Sequence, residues 1–204
     1  MILYLIRHGQ TDANIEGIYQ GNMDVELNDK GKEQAKRLAW RLRNFPFDAL
    51  FVSHLKRALD TANTILEYHD LTPKIKKDLE EISMGEWQGK TREEVKKTYA
   101  AFIKDRESKK DFYTRPIPGG ESYVAFQKRA VGVFEDILKE TEGKHVAVVC
   151  HGGIIKAVIG HLLSLDITRH RDFEIYNTSI TTIEYDKKKD RLRLITLNDT
   201  AHLV

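Results

Sequence analysis

Residues 2–6, Ile-Leu-Tyr-Leu-Ile, form an almost unbroken apolar run that changes abruptly to Arg7-His8-Gly9. A strand buried on both faces reads this way where it reaches a polar rim. Asn28 or Asp29 can cap a following helix whose apolar positions Ala35, Leu38, Ala39 and Leu42 keep helical spacing, with residues 44–46 closing it. Residues 49–52 predict a second buried strand, and Ser53 can cap a helix carrying Ala58, Ala62, Ile65 and Leu66 on one face. Residues 79–89 combine three Glu and two Gly with Met84 and Trp87, which suits an irregular loop. Thr91 opens a helical stretch to about residue 104, and residues 109–120, with Pro116, Pro118 and Gly119-Gly120, return to loop. Ser122 can cap a helix with Ala130, Val133, Phe134, Ile137 and Leu138 inward. Residues 146–150 repeat the buried-strand pattern and end in His151-Gly152-Gly153, ahead of a helical 154–163. Residues 178–185 and 192–197 alternate around a charged turn, as a terminal hairpin does.

Strands alternating with helices predict an α/β fold: a three-layer sandwich with a mostly parallel central sheet, helices on both faces and an antiparallel C-terminal hairpin at the edge. Periodic segments resume on both sides of the Pro/Gly-rich 109–120, so that stretch is a loop and not a linker. The expectation is one domain over 1–204, with a pocket roof from about 90–120. Ligands of such sheets bind beyond the carboxyl ends of strands. Two strands here end in His plus Gly at that edge, which marks a site.

Composition narrows the class. Hydrophobic residues at 41% and charged residues at 31% suit a folded globular chain, and 204 residues bury an adequate core without staples or metals. A net charge of +2 is too small to call for a polyanionic partner, and Lys187-Lys188-Lys189 reads as a solvated hairpin tip, so no nucleic acid is expected. The lone Cys150 can form no internal disulfide. No stretch reaches the ~18 apolar residues of a membrane span. The default is a cytoplasmic monomer or homodimer with no membrane partner, no cofactor and no metal.

Two imidazoles with several guanidiniums suit an anion, and the planar fork of Arg matches phosphate oxygens. Gly9 and Gly152 can bring backbone N–H groups close to such a ligand, and the helix after Gly152 aims its positive end at it. A histidine can attack phosphorus directly when flanking cations neutralise the equatorial oxygens. Glu80, Glu81 and Glu86 supply candidates for the acid that protonates the leaving oxygen.

Taken in order, strand-Arg-His-Gly, Ser-His-Leu-Lys-Arg-Ala, Leu-Glu-Glu-x-x-x-Gly-x-Trp-x-Gly and strand-His-Gly-Gly, the chain resembles the histidine phosphatase superfamily over essentially its whole length. The resemblance implies a phosphoglycerate mutase-like fold and a metal-independent phosphatase acting on a small phosphorylated metabolite through phosphohistidine. It implies that His8 is phosphorylated, that Arg7 and Arg57 clamp phosphate, and that Asn14 contacts it. It also places Gly9, Thr11 and Gly152 at the substrate. Spacing to the glycines of residues 79–89 picks Glu81 over Glu80 as proton donor, and His151 matches the second family histidine. Residues 118–122 match a further recurring family segment. The mutase branch has Trp before the Asn that follows the signature, whereas Ala13 precedes Asn14, which favours phosphatase. Phosphoglycerate mutase-type transfer and α-ribazole-5′-phosphate hydrolysis remain the alternatives.

Other classes fit less well. A Cys-x5-Arg phosphatase built on Cys150 needs Arg where Lys156 stands. A metallohydrolase needs ligand spacing that these histidines lack. A catalytically dead phospholigand-binding module is marked by loss of nucleophile or acid, and His8, Glu81 and His151 are all present.

Overall fold

The computed structural model describes residues 1–204, the side chain of Arg171 excepted. Along the chain run β1 (Ile2–Arg7), α1 (Asp12–Ile15), α2 (Asp29–Leu42), β2 (Ala49–Ser53), α3 (Lys56–Leu66), β3 (Lys74–Lys76), α4 (Arg92–Thr98), α5 (Ala100–Ser108), α6 (Tyr123–Glu140), β4 (His145–Cys150), α7 (Gly152–Leu162), β5 (Ile180–Asp186) and β6 (Arg191–Asp199). The strands form one sheet in the order β3-β2-β4-β1-β5-β6. β1 to β4 are mutually parallel, while β5 runs antiparallel to β1 and β6 antiparallel to β5. This is the predicted mostly parallel sheet with a terminal hairpin at its edge.

Alternation along the strands divides the core. Leu3 and Leu5 of β1, Phe51 of β2 and Val146, Val148 and Cys150 of β4 pack beneath α6 and α7. Ile6, Leu50, Val52, Ala147 and Val149 face the other way, against Leu38, Ala39 and Leu42 of α2 and Ala58, Ala62 and Ile65 of α3. Side chains of this size each contribute about 1.5–3 kcal/mol when fully buried. That energy fixes register, because a one-residue slip would exchange the two faces.

The capping chemistry is mostly where the sequence puts it. The Asn28 side chain accepts from the Gly31 N–H at 2.8 Å to start α2, and Ser122 caps α6 through the Ala125 N–H. Thr91 and Glu94 form a reciprocal capping box on α4. Three expectations change. Ser53 caps nothing: it ends β2, and α3 begins at Lys56 with Leu55 at the N-cap. The helix opened by Thr91 is broken at Tyr99, whose φ of −109° and ψ of 23° separate α4 from α5. β3 was not expected, because Lys-Ile-Lys is too short and polar to show as a strand.

α4 and α5, the stretch expected to roof the pocket, share a small core. Trp87, Val95 and Ile117 are buried there, with Tyr19, Met84, Tyr99, Phe102 and Ile103 packed against them. Arg106 is fully buried in α5 and donates to the carbonyls of Phe112 and Arg115, pinning the loop after α5 to the helix. No helix among the described residues is long and apolar enough to cross a membrane.

Candidate active site

β1 and β4 are hydrogen-bonded neighbours with Arg7 opposite Cys150. The residues that follow, His8 and His151, therefore emerge side by side beyond the sheet, their rings 5.2 Å apart. β2 flanks β4 on the other side and leads through residues 54–55 into α3, whose first turn carries Arg57. Above this edge lies a cavity of about 700 Å³ lined by Arg7, His8, Asn14, Arg57, Glu81 and Gly152, among others.

His8 is 3% exposed, and its Nδ1 lies 2.6 Å from the Gly9 carbonyl. A carbonyl can only accept, so Nδ1 carries the proton and Nε2 is left with its lone pair. Burial, reinforced by the Arg57 and Arg7 guanidiniums, holds the imidazole well below the ordinary histidine range. His8 is thus neutral at physiological pH and retains a nucleophilic nitrogen. His151 is fully buried, and burial, together with the same arginines and His8, pushes it down as well. Its Nε2 meets Ser53 Oγ at 2.9 Å.

Both arginines are braced by backbone carbonyls. Arg7 donates from Nη1 to Ile175 O at 2.5 Å; Arg57 donates to Met23 O at 2.6 Å and Gly21 O at 2.8 Å. Burial lowers Arg7 and takes Arg57 down to about 10, while Glu81 opposes both shifts, so both stay charged near neutrality. Arg7 Nε, Arg57 Nε and His151 Nδ1 are buried without a hydrogen-bond partner among the described residues. An unsatisfied buried group costs about 1–3 kcal/mol. Two unmatched guanidinium donors near His8 leave hydrogen-bonding capacity that an anion can satisfy.

Glu81 and Glu80 part company. Glu80 turns to His54, 3.7 Å from its Nε2. Glu81 lines the cavity and accepts from the Ile82 N–H at 3.0 Å and the Gly153 N–H, in the first turn of α7, at 2.9 Å. A Cβ at Gly153 would lie 2.1 Å from Glu81 Oε1, so any larger residue there would push the carboxylate out of this position.

Two residues expected at the substrate are engaged with other partners. The Gly9 N–H is spent on Thr61 Oγ1 at 3.0 Å, and a Cβ at Gly9 would meet Gly31 O at 2.6 Å, so Gly9 serves close packing against α2. Thr11 is buried and caps α1; its hydroxyl goes to Gln20 Oε1 at 3.0 Å, and it does not line the cavity. Sequence reasoning also missed Gln20, which lines the cavity, and Asn177, which bonds the His8 carbonyl and Asn14. Neither stands beside a diagnostic strand ending, and only the folded chain brings them here.

Residues 3–200 match the family model described as the histidine phosphatase superfamily, branch 1. The chain belongs to the histidine phosphatase superfamily. Among its relatives, the adenosylcobalamin/α-ribazole phosphatase of Salmonella typhimurium is 33% identical over 171 residues, 81% of each chain. Phosphoserine phosphatase 1 of Hydrogenobacter thermophilus is 33% identical over 202 residues, covering 98% of this chain and 93% of the relative. The crystal structure of a phosphoserine phosphatase mutant from Entamoeba histolytica in complex with phosphoserine is similar to this fold, with a TM-score of 0.84, 32% identity and 100% and 99% coverage of the two chains. Superfamily membership makes the chain a phosphatase-type enzyme with a phosphoglycerate mutase-like fold.

Proposed function

We propose that the chain hydrolyses a small phosphomonoester through a phosphohistidine on His8, without a metal. The observation that carries this reading is the Gly9 carbonyl on His8 Nδ1, which leaves Nε2 unprotonated beside two braced guanidiniums. Nε2 attacks phosphorus in line, and the ester P–O bond breaks as the P–N bond forms. Arg7, Arg57 and Asn14 hold the equatorial oxygens, with His151 behind His8. Glu81 gives its proton to the leaving alkoxide, then as carboxylate takes one from the water that attacks phosphohistidine. Inorganic phosphate leaves, and His8 is restored.

The wall beyond the phosphate end includes Met84, Phe112, Tyr123, Phe126 and Phe173. A wide cavity with this lining favours a ring-bearing leaving group, such as the α-ribazole that the Salmonella relative's name carries, over a serine side chain. Ala13 in place of the mutase branch's Trp favours water over a second hydroxyl as acceptor. Cys150, unpaired and buried, is compatible with a cytoplasmic setting.

The test is hydrolysis of p-nitrophenyl phosphate in excess EDTA by the native chain and by His8→Ala. Activity that survives EDTA and disappears with His8→Ala supports the proposal. EDTA-sensitive activity, or full activity in His8→Ala, overturns it.

A further inference from the structure

Asn14 lines the cavity with a carboxamide that can present either a donor NH2 or an acceptor oxygen. Only the NH2 attracts a phosphoryl oxygen. Its polarity is decided by groups with no freedom of their own. The Thr11 backbone N–H can only donate, and it meets Asn14 Oδ1 at 3.1 Å. The Asn177 amide is fixed by the carbonyl of His8, which can only accept, so its Nδ2 lies there at 3.0 Å and the same nitrogen meets Asn14 Oδ1 at 3.2 Å. Asn177 in turn precedes Thr178, a residue at φ 56° whose N–H bonds both Arg7 O and His8 O. Two donors thus claim the Asn14 oxygen, and its NH2 is left for the cavity.

Thr11 constrains Gln20 less strictly, since its hydroxyl can accept as well as donate, but a flipped Gln20 would leave the buried hydroxyl proton without its acceptor. Its Oγ1 accepts the Asn14 N–H at 3.3 Å, and the buried hydroxyl proton goes to Gln20 Oε1 at 3.0 Å. Gln20 Nε2 is the end left over, on a residue that also lines the cavity.

We infer that Thr11 and Asn177 are positioning residues that fix the polarity of the Asn14 and Gln20 carboxamides, so that both turn donors toward the phosphoryl group. The inference rests on the phosphatase reading above for the identity of the ligand. Neither residue touches substrate; each acts by forbidding an amide flip that would set a carbonyl oxygen against a phosphate oxygen.

The test combines titration of inorganic phosphate with p-nitrophenyl phosphate kinetics for native protein, Asn14→Ala, Asn177→Ala and the double variant. Asn14→Ala and Asn177→Ala are each expected to weaken phosphate binding about tenfold and raise KM similarly, with kcat changed less. The double variant is expected to be no worse than Asn14→Ala alone. A cost of Asn177→Ala that persists undiminished in the Asn14→Ala background overturns the inference, because Asn177 then acts through the His8 carbonyl or through the fold. Thr11→Val, nearly isosteric, keeps the test open if Asn177→Ala fails to fold: it is expected to weaken phosphate binding, with Thr11→Ser restoring it. Native affinity in Thr11→Val overturns the Gln20 half, because the Thr11 backbone N–H on Asn14 Oδ1 survives the substitution. Phosphate binding that follows this pattern in a chain with no turnover would sink the phosphatase reading alone, whereas normal turnover with the wrong cycle would sink this inference alone.

Discussion

The two ends of the cavity are built differently. The phosphate end rests on the carboxyl ends of three adjacent, fully packed strands, and four of its groups are braced by backbone: His8 by Gly9 O, Arg7 by Ile175 O, Arg57 by Gly21 and Met23, Glu81 by the Gly153 N–H. The roof end is carried by two short helices broken at Tyr99, closed over a small core and pinned by a single buried arginine. On the proposed reading, chemistry sits where geometry is over-determined, and the choice of leaving group sits at the more loosely built end. Substitutions of the reacting groups at the first end, His8 and Glu81, are therefore expected to change kcat by orders of magnitude, and those at the second end to move KM and stability modestly.

After the complete loss expected for His8→Ala, the largest effect belongs to Glu81. Glu81→Gln is expected to slow alkyl phosphates about 10²–10⁴-fold and aryl phosphates least, because a phenolate leaves without a proton. Equal losses on both, measured as kcat on paired substrates, would remove Glu81 from the acid role. Gly153→Ala should follow it. The new Cβ would fall 2.1 Å from Glu81 Oε1, so the carboxylate must swing away. A displacement of this order costs roughly 10²-fold in rate. The alkyl-versus-aryl split should resemble that of Glu81→Gln, with phosphate inhibition unchanged; a native rate would mean the Glu81–Gly153 contact is not used in turnover.

The same contrast explains what the sequence discloses. β1 and β4 are legible because strands buried on both faces must be apolar throughout, and the sudden Arg-His and His-Gly-Gly endings mark where burial stops. Arg57 and Glu81 become legible only through the family resemblance, since one is a cation on an amphipathic helix and the other an acid in a loop. Gly9 and Thr11 show the limit of that resemblance. Both lie in the signature, yet Gly9 gives its N–H to Thr61 and Thr11 gives its hydroxyl to Gln20, partners 52 and 9 residues away. Side-chain orders of this kind depend on long-range packing, and no local periodicity encodes them. β3 escaped for a different reason: a three-residue edge strand has too few positions to show alternation.

Acidification should act on the phosphate end first. His8 and His151 are held well below the ordinary histidine value by burial and the arginines, and His202 is pulled down to about 4 by burial and Arg41. In each case the unfolded chain, near pH 6.5, takes up protons before the folded one does. Stability is therefore undiminished above about pH 6.5 and falls as pH drops from there toward the folded-state values. Urea unfolding midpoints at pH 7.5 and 5.5 should show the loss, and His8→Ala should flatten the slope. A midpoint that rises on acidification would contradict the neutral buried pair.

The smallest effect is expected at the roof pin. Arg106→Met removes a fully buried guanidinium, and replacing a buried charge with a well-packed apolar side chain of similar volume is often neutral or stabilising. Here the gain is offset, because the carbonyls of Phe112 and Arg115 lose their donor. An unpaired buried carbonyl costs about 1–3 kcal/mol, so a net destabilisation of about 1–2 kcal/mol is expected. kcat for p-nitrophenyl phosphate should stay within about threefold of native, since Arg106 touches none of the groups around His8. KM for a bulky ring-bearing phosphate should rise by more than KM for p-nitrophenyl phosphate, because Phe112 is both the pinned residue and part of the cavity wall. A large fall in kcat on the small substrate would erase the distinction between the two ends and make the roof part of the chemical step.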